Sequence, residues 1–407
     1  MKCRHCDNEL EFLFLDLGYV PPSNAFRLDI DLNKPELTYP LRIMVCEKCW
    51  LVQTLDYVDA DELFYSEYSY FSSTSITWLN HCKRYCEMIT KKLSLNTNSF
   101  VIEVASNDGY LLKNFVETGI PCLGIEPTDS TANAAELLNI PVLRKFFEKK
   151  LAEKLIHEGK TADLILGNNV YAHVPDINDF TLGLKKLLKP SGTITLEFAY
   201  LLTLIKNNEF DTVYHEHFSY LSLHTVISIF ENAGLKIYDV DQLDTHGGSL
   251  RVYGCHKEKS YEITTRVNKQ LEKEIEEGLT KIETYTNFQK KANKIKNNLL
   301  TFLIEQKIQK KSIAAYGAAA KGNTLLNYSG IKPDLLPFVC DAALSKQGKL
   351  LPGSHIPIFH PDYIKEQQPH FILILPWNIA DEIIDQLSFI RDWGGQFVTV
   401  VPEMRIF

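Results

Sequence analysis

No stretch of this 407-residue chain holds the roughly 18 consecutive apolar residues that a membrane-spanning helix needs. The first ten residues, MKCRHCDNEL, lack the apolar core of a secretory signal, so a cytoplasmic protein that does not engage a membrane is expected. Positive charge is scarce: 43 Lys and Arg stand against 51 Asp and Glu, for a net charge of -8. Without a basic stripe the chain does not read as a nucleic-acid binder, and an anionic ligand needs local donors. The H-E-x-x-H helix of zinc peptidases is missing, because the histidines of Tyr214-His215-Glu216-His217 stand at i and i+2. So is the G-x-G-x-x-G turn that lets backbone approach a dinucleotide pyrophosphate. The 9 cysteines are odd in number and unevenly spread, which fits a reducing compartment better than a disulfide framework.

What remains is an ordinary soluble composition, 45% hydrophobic and 23% charged, in a chain long enough for two or three domains. Residues 1 to about 80 are irregular, with Pro21-Pro22, Pro35 and Pro40 interrupting the apolar runs, so only short strands are expected. From Phe100 the pattern becomes βα alternation, through FVIEVA, PCLGIE, IPVLR, ADLILGNN, GTITLEF, LKIYDVDQL and SLRVYGC, which predicts one doubly wound domain. Residues 256–311 turn charged and helix-favouring, as one long amphipathic connector would. Alternation then restarts at SIAAYGAAAKGN and runs through LLPFVCD, HFILILPW and QFVTVVP, a second and smaller α/β unit.

Cys3 and Cys6 form one C-x2-C pair, and Cys46 and Cys49 form another. Two such knuckles present four thiolates tetrahedrally to Zn²⁺. A site filled by four cysteines has no open position, so this metal holds the fold and does no chemistry. The loop between the pairs, carrying Pro21 and Pro22, is expected to hang off the knuckles.

VIEVASNDGYLL reads as strand, polar turn and helix, with Glu103 in the strand and Ser106, Asn107, Asp108 and Gly109 in the turn. Glu126 ends the next strand in GIEP, where a carboxylate can accept from both hydroxyls of an adenosine ribose. Asn168 and Asn169 end a later strand, and His173 follows them. Ligands of doubly wound sheets bind beyond the carboxyl ends of the strands, which gathers these residues at one rim. The Tyr214-His215-Glu216-His217 block brings proton-transfer groups together. On an extended backbone, Tyr214 and Glu216 would share one face and the two histidines the other.

Taken in order, the paired cysteines, YFSSTSITW at 70–78, VIEVASNDGYLL, GIEPT, AHVPDINDF, FDTVYHEHFSYLS, HGGSLRVY and YGAAAKGN resemble the sugar C-methyltransferase family. Members of that family use S-adenosylmethionine to modify nucleotide-linked ketosugars. The resemblance implies a zinc-binding domain (1–80), a central doubly wound methyltransferase domain (81–255) and a smaller Rossmann-like α/β domain (256–407) with a leading helix. It places a nucleotide-diphosphate sugar between the last two, in a chain expected to act as a monomer.

The family methylates carbon 3 of a 4-keto-6-deoxy sugar, whose keto group acidifies the C3 hydrogen. Such a step needs a base for the proton and donors for the resulting enolate. A neutral histidine suits the first task, its ordinary pKa being about 6.5. His217, matching the second histidine of the family's Y-H-E-H block, is implied as the base, and Tyr214 as donor to the enolate oxygen. Tyr68 and His173 match further active-site positions, whereas Glu216 orients a neighbour and His215 is structural. Ser72, Ser73, Ser75, Arg251 and Lys321 are expected to meet the diphosphate. Lys321 sits between a strand and a helix start, a favourable place for an anion. Two alternatives stay open: methyl transfer to a sugar hydroxyl, also served by His217, and a non-catalytic zinc-containing scaffold.

Overall fold

The computed structural model describes residues 1–56 and 71–407, the side chain of His246 excepted. Three sheets organise it. The first is antiparallel, with β1 (Phe12–Val20), β2 (Tyr39–Val45) and β3 (Val52–Thr54) in sequence order. The second contains β4 (Val101–Val104), β5 (Cys122–Ile125), β6 (Val142–Leu143), β7 (Ala162–Asn168) and β8 (Leu188–Ala199), parallel throughout in the order β6-β5-β4-β7-β8. Next in the chain, β9 (Ser219–Tyr220) leaves that sheet and joins the first, pairing with β3. The chain then returns through β10 (Leu235–Leu243) and β11 (Ser249–His256). β11 slots antiparallel between β8 and β10.

The first region is more regular than its prolines suggest. β1 is a nine-residue strand, FLFLDLGYV, that Pro21-Pro22 terminates rather than interrupts. A register shift between Asp16 and Tyr19, beside Gly18 at φ 75°, absorbs the twist. The Pro21-Pro22 loop does not hang free. It reaches the last domain, where Arg27 pairs with Leu350 and the Glu36 carboxylate accepts from the Gly353 amide at 2.8 Å and lies 2.7 Å from His355.

Helix Ile76–Leu93 lays Trp78, Cys82, Tyr85, Cys86 and Ile89 against the second sheet, a spacing of three and four residues that makes one apolar stripe. It runs through the boundary expected at residue 80. The expected single connector is three helices instead, Thr265–Glu276, Ile282–Thr286 and Phe288–Ile308. Gly278, at φ 84°, breaks the first from the second, a left-handed turn that glycine takes without strain.

The third sheet comprises β12 (Ile313–Tyr316), β13 (Val339–Cys340), β14 (Ile358–Phe359), β15 (Phe371–Ile374), β16 (Gln396–Thr399) and β17 (Arg405–Ile406). Its order is β14-β13-β12-β15-β16-β17, parallel except for β17. The fold is therefore α/β, a small metal-binding region followed by a doubly wound sheet and a second parallel one. No described helix is long and apolar enough to cross a membrane.

Candidate active site

The four cysteines of the two knuckles come together. Their sulfurs all lie within 4.8 Å of one another, with Cys3 3.5 Å from Cys49 and Cys6 3.6 Å from Cys46. Ligands about 2.3 Å from a tetrahedral zinc stand roughly 3.8 Å apart, so the donor set fits Zn²⁺. The two knuckles are the same turn made twice. Asp7 and Trp50, each following a second cysteine, take φ of 58° and 60°, and their amides donate to the Cys3 and Cys46 carbonyls at 3.0 and 2.9 Å.

A cavity of about 910 Å³ opens beyond the carboxyl ends of β4, β5, β7 and β8. The Pro21-Pro22 loop contributes Asn24 and Phe26 to its wall, and the last domain contributes Ala319, Ala320, Lys321 and Lys346. All three regions of the chain thus meet at one space.

At the cofactor rim, Ala105, Asn107 and Gly109 take φ of 56°, 48° and 77°. The turn after β4 therefore has the left-handed backbone of a glycine-rich loop although only one of the three is glycine. Each non-glycine there costs about 1–2 kcal/mol, strain of the kind stored at functional turns. Glu126 holds the turn: its carboxylate accepts from the Asn107 amide at 2.9 Å and the Thr128 amide at 3.0 Å. Asn107, Glu126, Asn168 and Asn169 line the cavity, and the Asn168 Nδ2 is buried with no partner among the described residues. That orphaned donor and the anchored carboxylate fit a cofactor bearing both acceptor and hydroxyl groups, as S-adenosylmethionine does. Glu103, Ser106, Asp108 and Gly109 do not line the cavity. Glu103 is fully buried under the turn, where burial pushes its carboxyl well above the ordinary range. Ser106 packs against Gly124, and Asp108 accepts from the Ser73 amide at 3.0 Å.

Tyr214, Glu216 and His217 also line the cavity, and His215 does not. The expected alternation fails because the block is a turn, closed by the His217 amide donating to the Tyr214 carbonyl at 3.0 Å. His215 instead approaches the Pro40 carbonyl at 3.3 Å and meets the Tyr39 ring edge-on. The His217 Nδ1 lies 2.9 Å from the Thr212 carbonyl. A carbonyl can only accept, so Nδ1 carries the proton and Nε2 is the basic nitrogen. The His217 ring lies 4.0 Å from that of Tyr214 and 4.6 Å from that of His173. Burial pushes His173 down to about 4, so its ring is neutral at physiological pH. Glu216 accepts from the Asn24 amide side chain at 2.6 Å, tying the block to the Pro21-Pro22 loop.

The expected phosphate donors divide. Lys321 opens helix Ala320–Ser329 on the cavity wall, where its ammonium donates to Asn378 at 2.6 Å and lies over the Trp377 ring. Burial pushes Lys321 down, while Glu209 and Asp211 pull it back up. Ser72 lines the cavity and its amide donates to Asn107 at 2.9 Å. Ser75 caps helix Ile76–Leu93, and Ser73 is engaged with Asp108. Arg251 does not reach the cavity: it faces Glu197 across the β8–β11 pair, ion-paired at 2.6 Å, and lies over the Tyr85 ring. Tyr68 lies outside the described residues. Asn24, Thr212 and Lys346 were not singled out from the sequence; only Thr212, inside the FDTVYHEHFSYLS segment, had a signal that could have found it.

NovU, a C-methyltransferase of Streptomyces niveus, is 32% identical over 405 residues, covering 100% of this chain and 96% of NovU. The chain belongs to the C-methyltransferase family. Family models match along this C-methyltransferase in three pieces: a zinc binding domain over residues 3–64, a methyltransferase domain over 69–240 and a C-methyltransferase C-terminal domain over 244–402. The human mitochondrial ubiquinone biosynthesis O-methyltransferase is 24% identical over 155 residues, 34% of this chain and 42% of its own length. Among solved structures, YcgJ of Bacillus subtilis overlays on 44% of the chain and all of its own, at 13% identity and a TM-score of 0.36. The enzyme is an S-adenosylmethionine-dependent C-methyltransferase with a four-cysteine zinc site.

Proposed function

We propose that this enzyme methylates carbon 3 of a nucleotide-linked 4-keto-6-deoxy sugar through an enolate. The observation that carries this reading is the fixed tautomer of His217, set by the Thr212 carbonyl at 2.9 Å on the wall of the shared cavity. His217 Nε2 takes the C3 proton. The C–H electrons move into the C3–C4 bond, and the keto oxygen becomes the enolate oxygen. Tyr214, whose ring lies against His217, donates its phenol proton in a hydrogen bond to that oxygen. His173 is neutral and supplies a second polar edge without a competing charge. S-adenosylmethionine held at the cofactor rim would supply an electrophilic methyl group, its S–CH3 bond breaking to leave S-adenosylhomocysteine as the new C3–CH3 bond forms and the enolate returns to the ketone. Asn107, Glu126, Asn168 and Asn169 hold the cofactor, and the aromatic and aliphatic walls exclude water. Tyr68 is retained as a further active-site residue by resemblance to the family.

Lys321 and Lys346 support a diphosphate as the second anchor. Both come from the last domain, and Lys321 stands at a helix start whose free amides favour an anion. Domain limits of 1–80, 81–255 and 256–407 belong to this reading, with the nucleotide-sugar between the last two. NovU's relation to this chain over its whole length adds weight to a C-methyl product.

The test is incubation with labelled S-adenosylmethionine and a panel of nucleotide ketosugars, followed by nuclear magnetic resonance of the product. A methyl on ring carbon 3, with loss of C3 deuterium from labelled substrate before transfer, is expected. A methyl bonded to oxygen would overturn the reading.

A further inference from the structure

The first zinc knuckle touches both histidine-bearing loops of the active site, through residues that are not metal ligands. Arg4 sits between Cys3 and Cys6, and its side chain is only 7% exposed. Its guanidinium donates to the Pro175 carbonyl at 2.6 Å and the Thr54 carbonyl at 2.8 Å, and lies 5.5 Å from the Phe218 ring. Pro175 belongs to the loop that carries His173, and Phe218 follows His217. One planar fork therefore spans both loops, which a lysine could not do.

Neighbouring bonds complete the arrangement. The Phe218 amide donates to Ala172 at 2.8 Å, and the Thr54 amide donates to Phe218 at 3.1 Å. The Thr54 hydroxyl also donates to the His217 carbonyl. Behind them, Gln53 accepts from the Arg4 amide at 2.9 Å and donates to the Cys3 sulfur at 3.2 Å. Asn178, in the first turn of helix Ile177–Leu187 that follows the His173 loop, donates to the His5 carbonyl at 2.9 Å.

We propose that Arg4 is a positioning residue that sets the geometry of the His173 and His217 rings, so that the zinc knuckle acts as their buttress. The edge-on ring contact at 4.6 Å depends on two loops that meet at this guanidinium. The consequence for catalysis rests on His217 being the base. Misplacing a catalytic group by about 1 Å costs on the order of 100-fold in rate, which sets the scale of the effect.

The test uses full-length, zinc-loaded protein carrying Arg4→Gln or Arg4→Lys. Zinc content by mass spectrometry and S-adenosylmethionine affinity by calorimetry should match the unaltered enzyme within about twofold. The ring nitrogen resonances of His173 and His217, assigned with His173→Gln and His217→Gln, should both shift. Turnover should fall about 10- to 100-fold with KM within about threefold, and Arg4→Lys should recover only part of it. Unshifted ring resonances in a variant that retains zinc would overturn the proposal. Should Arg4→Gln lose its metal, Arg4→Lys and Asn178→Ala decide on the same readouts. The ring resonances report on the positioning whatever the substrate, so a His217→Gln enzyme that still turns over would sink the base assignment separately.

Discussion

The cavity has two walls that solve opposite problems. On one, His173, His217 and Tyr214 meet ring to ring, with His173 pushed by burial down to about 4 and His217 tied to a carbonyl. On the other, Lys321 stands among acids, and burial pushes Glu209 up to about 7 and Asp211 up to about 6. A base must be uncharged and basic at one atom, which calls for few nearby charges and a fixed tautomer. In the proposed reading Lys321 awaits an anion and must stay charged until it arrives, which calls for counterions that can give up their own charge. The two walls share one segment, because Glu209 and Asp211, the acids beside Lys321, stand just before Thr212, whose carbonyl holds His217; Lys321 itself comes from the last domain.

Zinc removal should break the first wall and spare the second. Structural zinc contributes on the order of 10 kcal/mol in small metal domains, so chelation should unfold the β1–β3 sheet and release β9 from β3. Turnover should vanish, while melting of the helix and sheet signal from the two α/β units persists. A metal-free protein with unchanged melting and full activity would contradict both the metal's role and the bracing.

Within the histidine wall, His217→Gln should lower turnover about 100- to 10,000-fold, the usual span for losing a general base. Cofactor affinity by calorimetry should stay unchanged, because the residues at the cofactor rim do not depend on His217. On the opposite wall, Lys321→Met should mainly raise KM, by about 10- to 100-fold, as expected for one lost hydrogen bond to a charged group. Steady-state kinetics on both variants separate the walls. A KM effect at His217 together with a turnover effect at Lys321 would reverse the assignment.

Much of this was legible in the sequence, and the exceptions share a cause. The cysteine pairs, the alternating strands and the Tyr214-His215-Glu216-His217 block are local patterns, and local chemistry fixes them. The orientation of that block was misread because it turns without a glycine or proline to mark the turn. The cofactor turn looked unlike a glycine-rich loop because Ala105 and Asn107 accept left-handed backbone there. Arg251 resembled a phosphate donor until the β8–β11 register set it against Glu197. Ser75 was within reach, since a serine before Ile76-Thr77-Trp78 is an ordinary helix cap. The pairing of a two-residue strand with β3, by contrast, carries no signal in either segment. Contacts between distant segments are what sequence pattern does not encode, and the bracing of the active site is made of them.

A last effect, on stability and not on turnover, concerns pH, where the walls pull in opposite directions. His173 is pushed down from 6.5 to about 4, so its contribution to stability is fully present above pH 6.5 and lost as pH falls toward 4. Asp211 is pushed up from 3.8 to about 6, chiefly by burial, with Lys321 opposing. The folded state therefore holds the Asp211 proton more tightly than the unfolded chain. That contribution is present below pH 3.8 and lost as pH rises through about 6. Asp211→Asn removes the second trend and leaves the first. The variant's melting temperature, relative to the unaltered enzyme, should then climb between pH 4 and 6.5, by an amount corresponding to at most about 3 kcal/mol. Thermal melts across that range are the check. A relative melting temperature that falls with pH would mean that Asp211 stays ionised beside Lys321, and that the lysine wall holds a permanent ion pair in place of a releasable counterion.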